Sequence, residues 1–133
     1  MNADELMIGD WVIAENKPTI VEYPLCENGC AITKARGESR WRYYLPSSLR
    51  PATITSEILE KNGFDGGGYK ESFTLFLDNE NDYVDVKPIT RNPDYKWLAE
   101  FMTKNFSCRA FINSVHELQH LLKLCGTGKE IEL

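Results

Sequence analysis

Residues 19–34 read TIVEYPLCENGCAITK, and this stretch decides the fold expected for the N-terminal part of the chain. Asn28-Gly29 is a strong turn signal, because both residue types tolerate the positive φ that tight hairpin turns require. The flanking residues 19–25 and 30–34 are rich in β-branched side chains, which favour strands. The stretch therefore predicts a β-hairpin.

Further strands are predicted on both sides of this hairpin. A short apolar segment begins at Trp11, after a Gly9-Asp10 turn. Residues 40–45 alternate, and we expect one set to point inward and the other to meet solvent. Four short strands spaced by about 8–12 residues are typical of a curled antiparallel sheet, of which an SH3-like barrel is one form. The inward set is Trp41, Tyr43 and Leu45, and the outward set is Arg40, Arg42 and Tyr44.

The remainder of the chain predicts helices and a second group of strands. Thr55 is placed to cap a short helix that Gly63 would end, and residues 115–125 have the apolar spacing of an amphipathic helix. Residues 94–103 fit a helix or a strand equally well. The other expected elements are a linker at 65–68, a hairpin from 73–77 and 83–86 with a turn at 79–82, a strand at 106–112 and an edge strand at 129–133. The predicted fold class is α+β, with a curled antiparallel sheet, a short middle helix and a C-terminal helix packed on the sheet.

Size and composition limit the class of protein. The chain has 133 residues, of which 42% are hydrophobic, enough for one domain with its own core. We therefore expect a single domain over 1–133, with a β-rich part at 1–50 and an α+β part at 51–133. No apolar run approaches the ~20 residues of a membrane span, and the acidic N-terminus lacks the pattern of an export signal. These features predict a cytoplasmic protein with reduced cysteines and no membrane partner.

The sharpest chemical motif is His116-Glu117-Leu118-Gln119-His120, which contains the only two histidines of the chain. On a helix, this spacing lets both imidazoles bind one zinc ion while the glutamate activates water. A zinc hydrolase with ligands His116 and His120 and the base Glu117 is therefore one hypothesis.

Three observations favour a structural role for the same residues. Ser114 and Glu117 have the spacing of a capping box, which would occupy the glutamate. Both histidines lie opposite the apolar stripe of the predicted helix, on the side expected to face solvent. A catalytic zinc site also needs a third protein ligand, and the sequence does not indicate one. We therefore expect no metal and no cofactor.

Charge is distributed unevenly, although the formal net charge is −5. Residues 1–33 carry six acidic residues and one lysine, net −5, whereas 34–50 carry five basic residues and one acidic residue, net +4. Basic side chains beside aromatic ones are typical of surfaces that bind single-stranded nucleic acid. A solvated strand is the alternative, and an acidic protein surface is an equally suitable partner. The candidate contact residues are Lys34, Arg36, Arg40, Arg42 and Tyr44.

The four cysteines offer weaker signals. Cys26 and Cys30 flank the predicted turn and could supply half of a four-ligand zinc site. Cys108 and Cys125 lie on apolar stripes and are expected to be separate small core residues. We therefore predict no redox or metal role for the thiols.

Three blocks of sequence resemble a group of small uncharacterised proteins of Bacteroides-type bacteria, their prophages and their conjugative elements. The blocks are ELMIGDWV at 5–12, ITSEILEKNGF at 54–64, and VHELQH at 115–120 followed by LCG at 124–126. The resemblance carries no established activity and no catalytic residue. It implies an accessory protein of phage or mobile-element origin. Together with the absence of an assembled nucleophile, it predicts a non-enzymatic protein with a protein or nucleic-acid partner.

Overall fold

The chain forms an α+β structure with two antiparallel sheets of five strands and two α-helices, as the sequence predicted. The structure is a computed structural model that describes residues 1–66, 72–77 and 81–133. Residues 67–68 of the predicted linker and 79–80 of the predicted turn lie outside this part of the chain. Two compact units are present, Met1–Thr53 together with Leu133, and Ile54–Glu132.

The N-terminal unit is built on one sheet with the strand order β4-β3-β2-β1-β5. All neighbouring strands are antiparallel. A short 3-10 helix, Pro46–Ser48, separates the last two strands in sequence. The strands are β1 (Trp11–Ala14), β2 (Lys17–Tyr23), β3 (Ala31–Ala35), β4 (Arg42–Tyr44) and β5 (Arg50–Pro51).

The SH3-like expectation is wrong in one respect, because this sheet is open and does not close into a barrel. The edge strands β4 and β5 have three and two residues, and each pairs with a single neighbour, β3 and β1 respectively. Strands of three and two residues offer too few backbone N–H and C=O groups to hydrogen-bond the two edges of the sheet to each other. The inner face carries the core, which consists of Leu6, Val12, Ala14, Val21, Ala31 and Leu49.

The predicted hairpin is present with a longer connection than expected. Strand β2 pairs with β3, and the backbone N–H of Cys26 donates to the carbonyl of Cys30 at 2.8 Å. Gly29 takes a φ of +80°, which explains why glycine follows asparagine here. The register shifts between Val21 and Tyr23, so Glu22 is the extra residue of a β-bulge.

The C-terminal unit contains the second sheet, an antiparallel meander with the order β10-β9-β8-β7-β6. Its first helix begins where expected, because the Thr55 hydroxyl accepts from the Ile58 N–H at 3.3 Å and Gly63 follows the helix with a φ of +86°. The second helix contacts β10, as predicted for a helix packed on a sheet. The elements are α1 (Ser56–Lys61), β6 (Asp65–Gly66), β7 (Phe73–Phe76), β8 (Tyr83–Pro88), β9 (Trp97–Met102), β10 (Ser107–Ile112) and α2 (Val115–Leu124).

The sequence did not correctly assign the secondary structure of two segments of this unit. Residues 97–102, which the sequence left open, form β9 because they pair with strands on both sides, β8 and β10. The edge strand predicted at 129–133 is not formed. Instead the Asn62 side chain binds this tail, accepting from the Glu132 N–H at 2.8 Å and donating to the Glu132 carbonyl at 2.7 Å. Among the described residues, no helix has the length and apolar character needed to cross a membrane.

Candidate binding face on the N-terminal sheet

Strand β4 points its aromatic residues in the direction opposite to that expected. Trp41 and Tyr43 are 62% and 59% exposed, and Leu45 is exposed as well. Tyr44 instead packs against the core of the N-terminal unit. The prediction that Trp41 and Tyr43 point inward is therefore wrong.

The register of the sheet explains this reversal. Tyr44 pairs with Ala31, a fully buried residue whose small side chain leaves room above it for a ring. Tyr43 pairs with Ile32, which points to the other face of β3. The hydrophobicity of β4 alone does not indicate which of its side chains face the core.

An aromatic face, defined by Tyr23, Ile32, Trp41 and Tyr43, results on the outer side of the sheet. Tyr23 pairs with Ile32 and Ile32 pairs with Tyr43, so these residues form one row across β2, β3 and β4. Tyr23 is 57% exposed. Trp41 precedes Tyr43 by two residues and lies on the same side of the extended chain. The sequence analysis missed Tyr23, because its position follows from the bulge at Glu22.

One basic residue lies on the aromatic face and another directly precedes it in the chain. Thr33 pairs with Arg42, so continuing the antiparallel register by one residue brings Lys34 opposite Trp41. Arg40 directly precedes Trp41 in the chain and is exposed, but the alternation that puts Trp41 and Tyr43 on one side assigns it to the opposite side. Within the described residues, neither Lys34 nor Arg40 takes part in an ion pair. Their charges are thus available to an anionic ligand.

The other predicted contact residues have partners within the unit. Arg42 forms ion pairs with Glu38 at 3.3 Å and Glu15 at 3.9 Å, and the charge and hydrogen bond of Glu38 raise the pKa of Arg42. Burial raises the pKa of the Tyr44 hydroxyl, and its hydrogen bond with Glu15 raises it further. Arg36 donates from Nη1 to the Leu133 carbonyl at 2.6 Å. Arg40, Arg42 and Tyr44 therefore do not form one exposed strip.

A small cavity of about 30 Å³ lies beside Arg42 and Tyr44. Its lining includes the hydroxyls of Thr19 and Thr33, which are buried and have no hydrogen-bond partner in the part of the chain that the structure describes. A water centre needs roughly 10–15 Å³, so this cavity has the size of a hydration site and is too small for a substrate.

The outer face of the second sheet has a different character. Glu100 lies between two basic residues on neighbouring strands, with Lys87 Nζ at 3.0 Å and Arg109 Nε at 3.6 Å. Asp85 accepts from the Thr74 hydroxyl at 2.9 Å. Charged side chains on this face are therefore paired with each other, in contrast to Lys34 and Arg40.

The H-E-x-x-H segment lies in the first turns of α2, but its arrangement differs from the prediction. His116 is 5% exposed, so the expectation that it faces solvent is wrong. The His116 and His120 rings meet edge to face with centroids 5.6 Å apart. Among the residues that the structure describes, no cluster of three or more His, Cys, Asp or Glu side chains is placed to hold a metal ion.

The predicted capping box is also wrong. Ser114 occupies the N-cap position of α2, but its side chain makes no capping hydrogen bond. Its hydroxyl donates to Glu117 Oε1 at 2.7 Å and lies 2.9 Å from His116 Nδ1. Since the hydroxyl has one proton, the His116 Nδ1–H must donate to it.

This Glu117–Ser114–His116 network does not have the order of a hydrolytic triad. In a triad the imidazole lies between serine and the acid, so that it can accept the serine proton. Here the serine lies between the other two and gives its proton to the carboxylate. The network therefore orients side chains at the start of α2.

All four cysteines are free and half-buried. Cys108 and Cys125, which were expected to be small core residues apart from each other, are half-buried, and Cys108 lies close enough to influence Cys125. Burial raises the pKa of the Cys125 thiol, and the neighbouring Cys108 raises it further.

The site that the sequence and the structure jointly support is the aromatic face with its two basic neighbours. The sequence singled out Lys34 and Arg40 but predicted that Trp41 and Tyr43 point inward, whereas both are exposed. No protein-family model, curated protein or solved structure matches this chain.

Proposed function

We propose that this protein is a non-enzymatic binding protein that acts in the cytoplasm and uses the aromatic face of its N-terminal sheet. The single observation that carries the proposal is the row of exposed Tyr23 and Tyr43 on either side of the half-buried Ile32, extended by the exposed Trp41. In keeping with the resemblance of its sequence blocks, we propose an accessory protein of phage or mobile-element origin.

Leaving several large aromatic rings exposed to water on one face has a free-energy cost that binding of a partner removes. Single exposed apolar residues are ordinary, but a contiguous group of them marks an interaction surface in most soluble proteins. Tyrosine and tryptophan contribute a large contact area with few rotatable bonds, so they lose little entropy on binding. Leu25 and Leu45, which follow Tyr23 and Tyr43 by two residues each, are also exposed.

The residues of the zinc-like motif support the same proposal through their structural roles. Glu117 is engaged with Ser114, and His116 is buried at the start of α2. These contacts account for the motif without a reaction.

Site-specific photo-crosslinking tests the proposal. The chain would carry p-benzoylphenylalanine in place of Tyr43 and be expressed in a Bacteroides-type host. The matched control carries the same probe in place of Phe76, which is 63% exposed and lies in the other unit. We expect discrete covalent adducts from position 43 that disappear when Trp41→Ala is added. Equal adducts from both positions, or none from position 43, would overturn the proposal.

A further inference from the structure

We infer that the ligand of the aromatic face is a single strand of nucleic acid, whose bases stack on Trp41, Tyr43 and Tyr23. This inference rests on the proposed function and adds the chemical class of the partner. It depends on three features of the face, namely the spacing of its rings, the two basic residues beside it and the state of the nearby acidic residues.

The spacing of the rings suits successive unstacked bases. Neighbouring strands lie about 4.8 Å apart, so Tyr23 and Tyr43, two strands apart, are separated by about 10 Å across the sheet. Trp41 and Tyr43 are two residues apart, about 7 Å along an extended chain. A strand that crosses the face could therefore meet three rings in turn, whereas the bases of a duplex are stacked on each other and do not present their faces.

The charges beside the rings favour phosphate. Lys34 and Arg40 have no ion pair within the described residues. Lys34 lies opposite Trp41 in the continued register, and Arg40 is the residue that precedes Trp41 in the chain. Two nearby carboxylates, Glu15 and Glu38, are engaged by Arg42. Basic side chains next to stacking platforms are the combination that single-stranded nucleic-acid sites use.

One acidic residue next to the face disfavours binding of an anionic ligand. Neutralising it should therefore strengthen binding, whereas the substitutions of the aromatic and basic residues should weaken it. Glu22 is the extra residue of the bulge next to Tyr23, and its side chain is half-buried. A carboxylate in this position repels phosphate. Glu22→Gln should therefore tighten binding by a few-fold, a gain that an apolar protein partner would not predict.

Fluorescence anisotropy with a fluorescein-labelled 12-nucleotide oligothymidylate tests the inference directly. We expect saturable binding at low salt, with at least tenfold weaker binding to a duplex of the same length. Alanine at a stacking residue weakens binding by about 5- to 150-fold per base, so the double variant Trp41→Ala/Tyr43→Ala should bind at least about 25-fold more weakly. Tyr43→Phe retains the ring and should stay within about twofold of the original.

Salt dependence tests the basic residues separately. Two phosphate contacts to a single strand predict a slope of about −1.4 for the logarithm of affinity against the logarithm of salt concentration. The slope should approach zero in Lys34→Ala/Arg40→Ala. The matched control Arg91→Ala/Lys104→Ala removes two exposed basic residues of the other unit and should leave the slope unchanged.

The outcomes separate this inference from the proposed function. Oligonucleotide binding that is absent at low salt, or unaffected by the loss of Trp41 and Tyr43, would overturn the inference. Adducts at position 43 that resist nuclease and are digested by protease would also overturn it, while the proposed binding face would stand. Adducts that nuclease removes would support both.

Discussion

Replacing Ser114 by alanine should destabilise the protein by more than the loss of a helix cap. The hydroxyl is buried and makes two hydrogen bonds, one to the Glu117 carboxylate and one from His116. Alanine removes both, leaving the buried ring N–H and the carboxylate each with one hydrogen bond fewer.

The magnitude follows from the character of the two bonds. A hydrogen bond to a charged group contributes about 1.5–3 kcal/mol, and a neutral one about 0.5–1.5 kcal/mol. Glu117 is half-buried, so water screens its bond in part and the lower end of the range applies. We expect the free energy of unfolding to fall by about 2–3 kcal/mol, whereas the loss of a simple serine cap would cost about 1 kcal/mol.

Urea denaturation followed by circular dichroism measures this difference. Thr55→Ala is the matched control, because the Thr55 hydroxyl does cap α1 by accepting from the Ile58 N–H. That control should lose about 1 kcal/mol. Glu117→Gln and its combination with Ser114→Ala complete a double-mutant cycle, and contact between the two side chains predicts a coupling of about 1 kcal/mol. A loss of only about 1 kcal/mol for Ser114→Ala, additive with Glu117→Gln, would refute the network.

Three other predictions concern the remaining polar contacts of the two units. Asn62→Ala removes the two hydrogen bonds to the Glu132 backbone and one to the Ile58 carbonyl. The free energy of unfolding should therefore fall by about 2–3 kcal/mol in the same urea assay. An unchanged free energy of unfolding would show that Asn62 does not hold the C-terminal tail. Thr33→Val replaces a buried hydroxyl that has no hydrogen-bond partner among residues 1–66, 72–77 and 81–133, so the free energy of unfolding should rise by about 1 kcal/mol. A lower free energy of unfolding would mean that the hydroxyl has a hydrogen-bond partner in solution. The raised pKa of Cys125 lowers its thiolate fraction, so iodoacetamide should alkylate Cys125 more slowly at pH 8 than it alkylates free cysteine. Alkylation of Cys125 should become faster after Cys108→Ala. Mass spectrometry of the peptide that contains Cys125 measures both rates, and equal rates with and without Cys108 would contradict the contact.

Local signals predicted much of the fold because their causes lie within a few residues. Thr55 and Gly63 delimit α1 through a side-chain cap and a positive φ, and both depend only on the adjacent backbone. The alternation of residues 107–112 likewise appears as β10. Residues 97–102 were ambiguous because their apolar pattern satisfies two periodicities, and the choice depends on strands far away in sequence.

The candidate site was predicted in composition but not in orientation. The charge pattern identified the segment that contains Lys34, Arg40 and Trp41, because clustering of basic and aromatic residues is visible in one dimension. Which side of β4 meets solvent depends on its pairing with Ala31 and Ile32, about a dozen residues earlier. The general rule that large apolar side chains are buried gave the wrong face.

The sequence and the tertiary structure thus determined different features, according to how far apart in the chain the interacting residues lie. The order of residues was enough for the α+β class, the Asn28-Gly29 hairpin, the cap of α1 and the presence of an amphipathic last helix, since turns, caps and periodicity are properties of neighbouring residues. Long-range packing assigned Tyr44 to the core and Tyr43 to the surface, and it buried His116. A side chain's environment is set by the strand or helix that packs against it, and that partner is specified elsewhere in the chain.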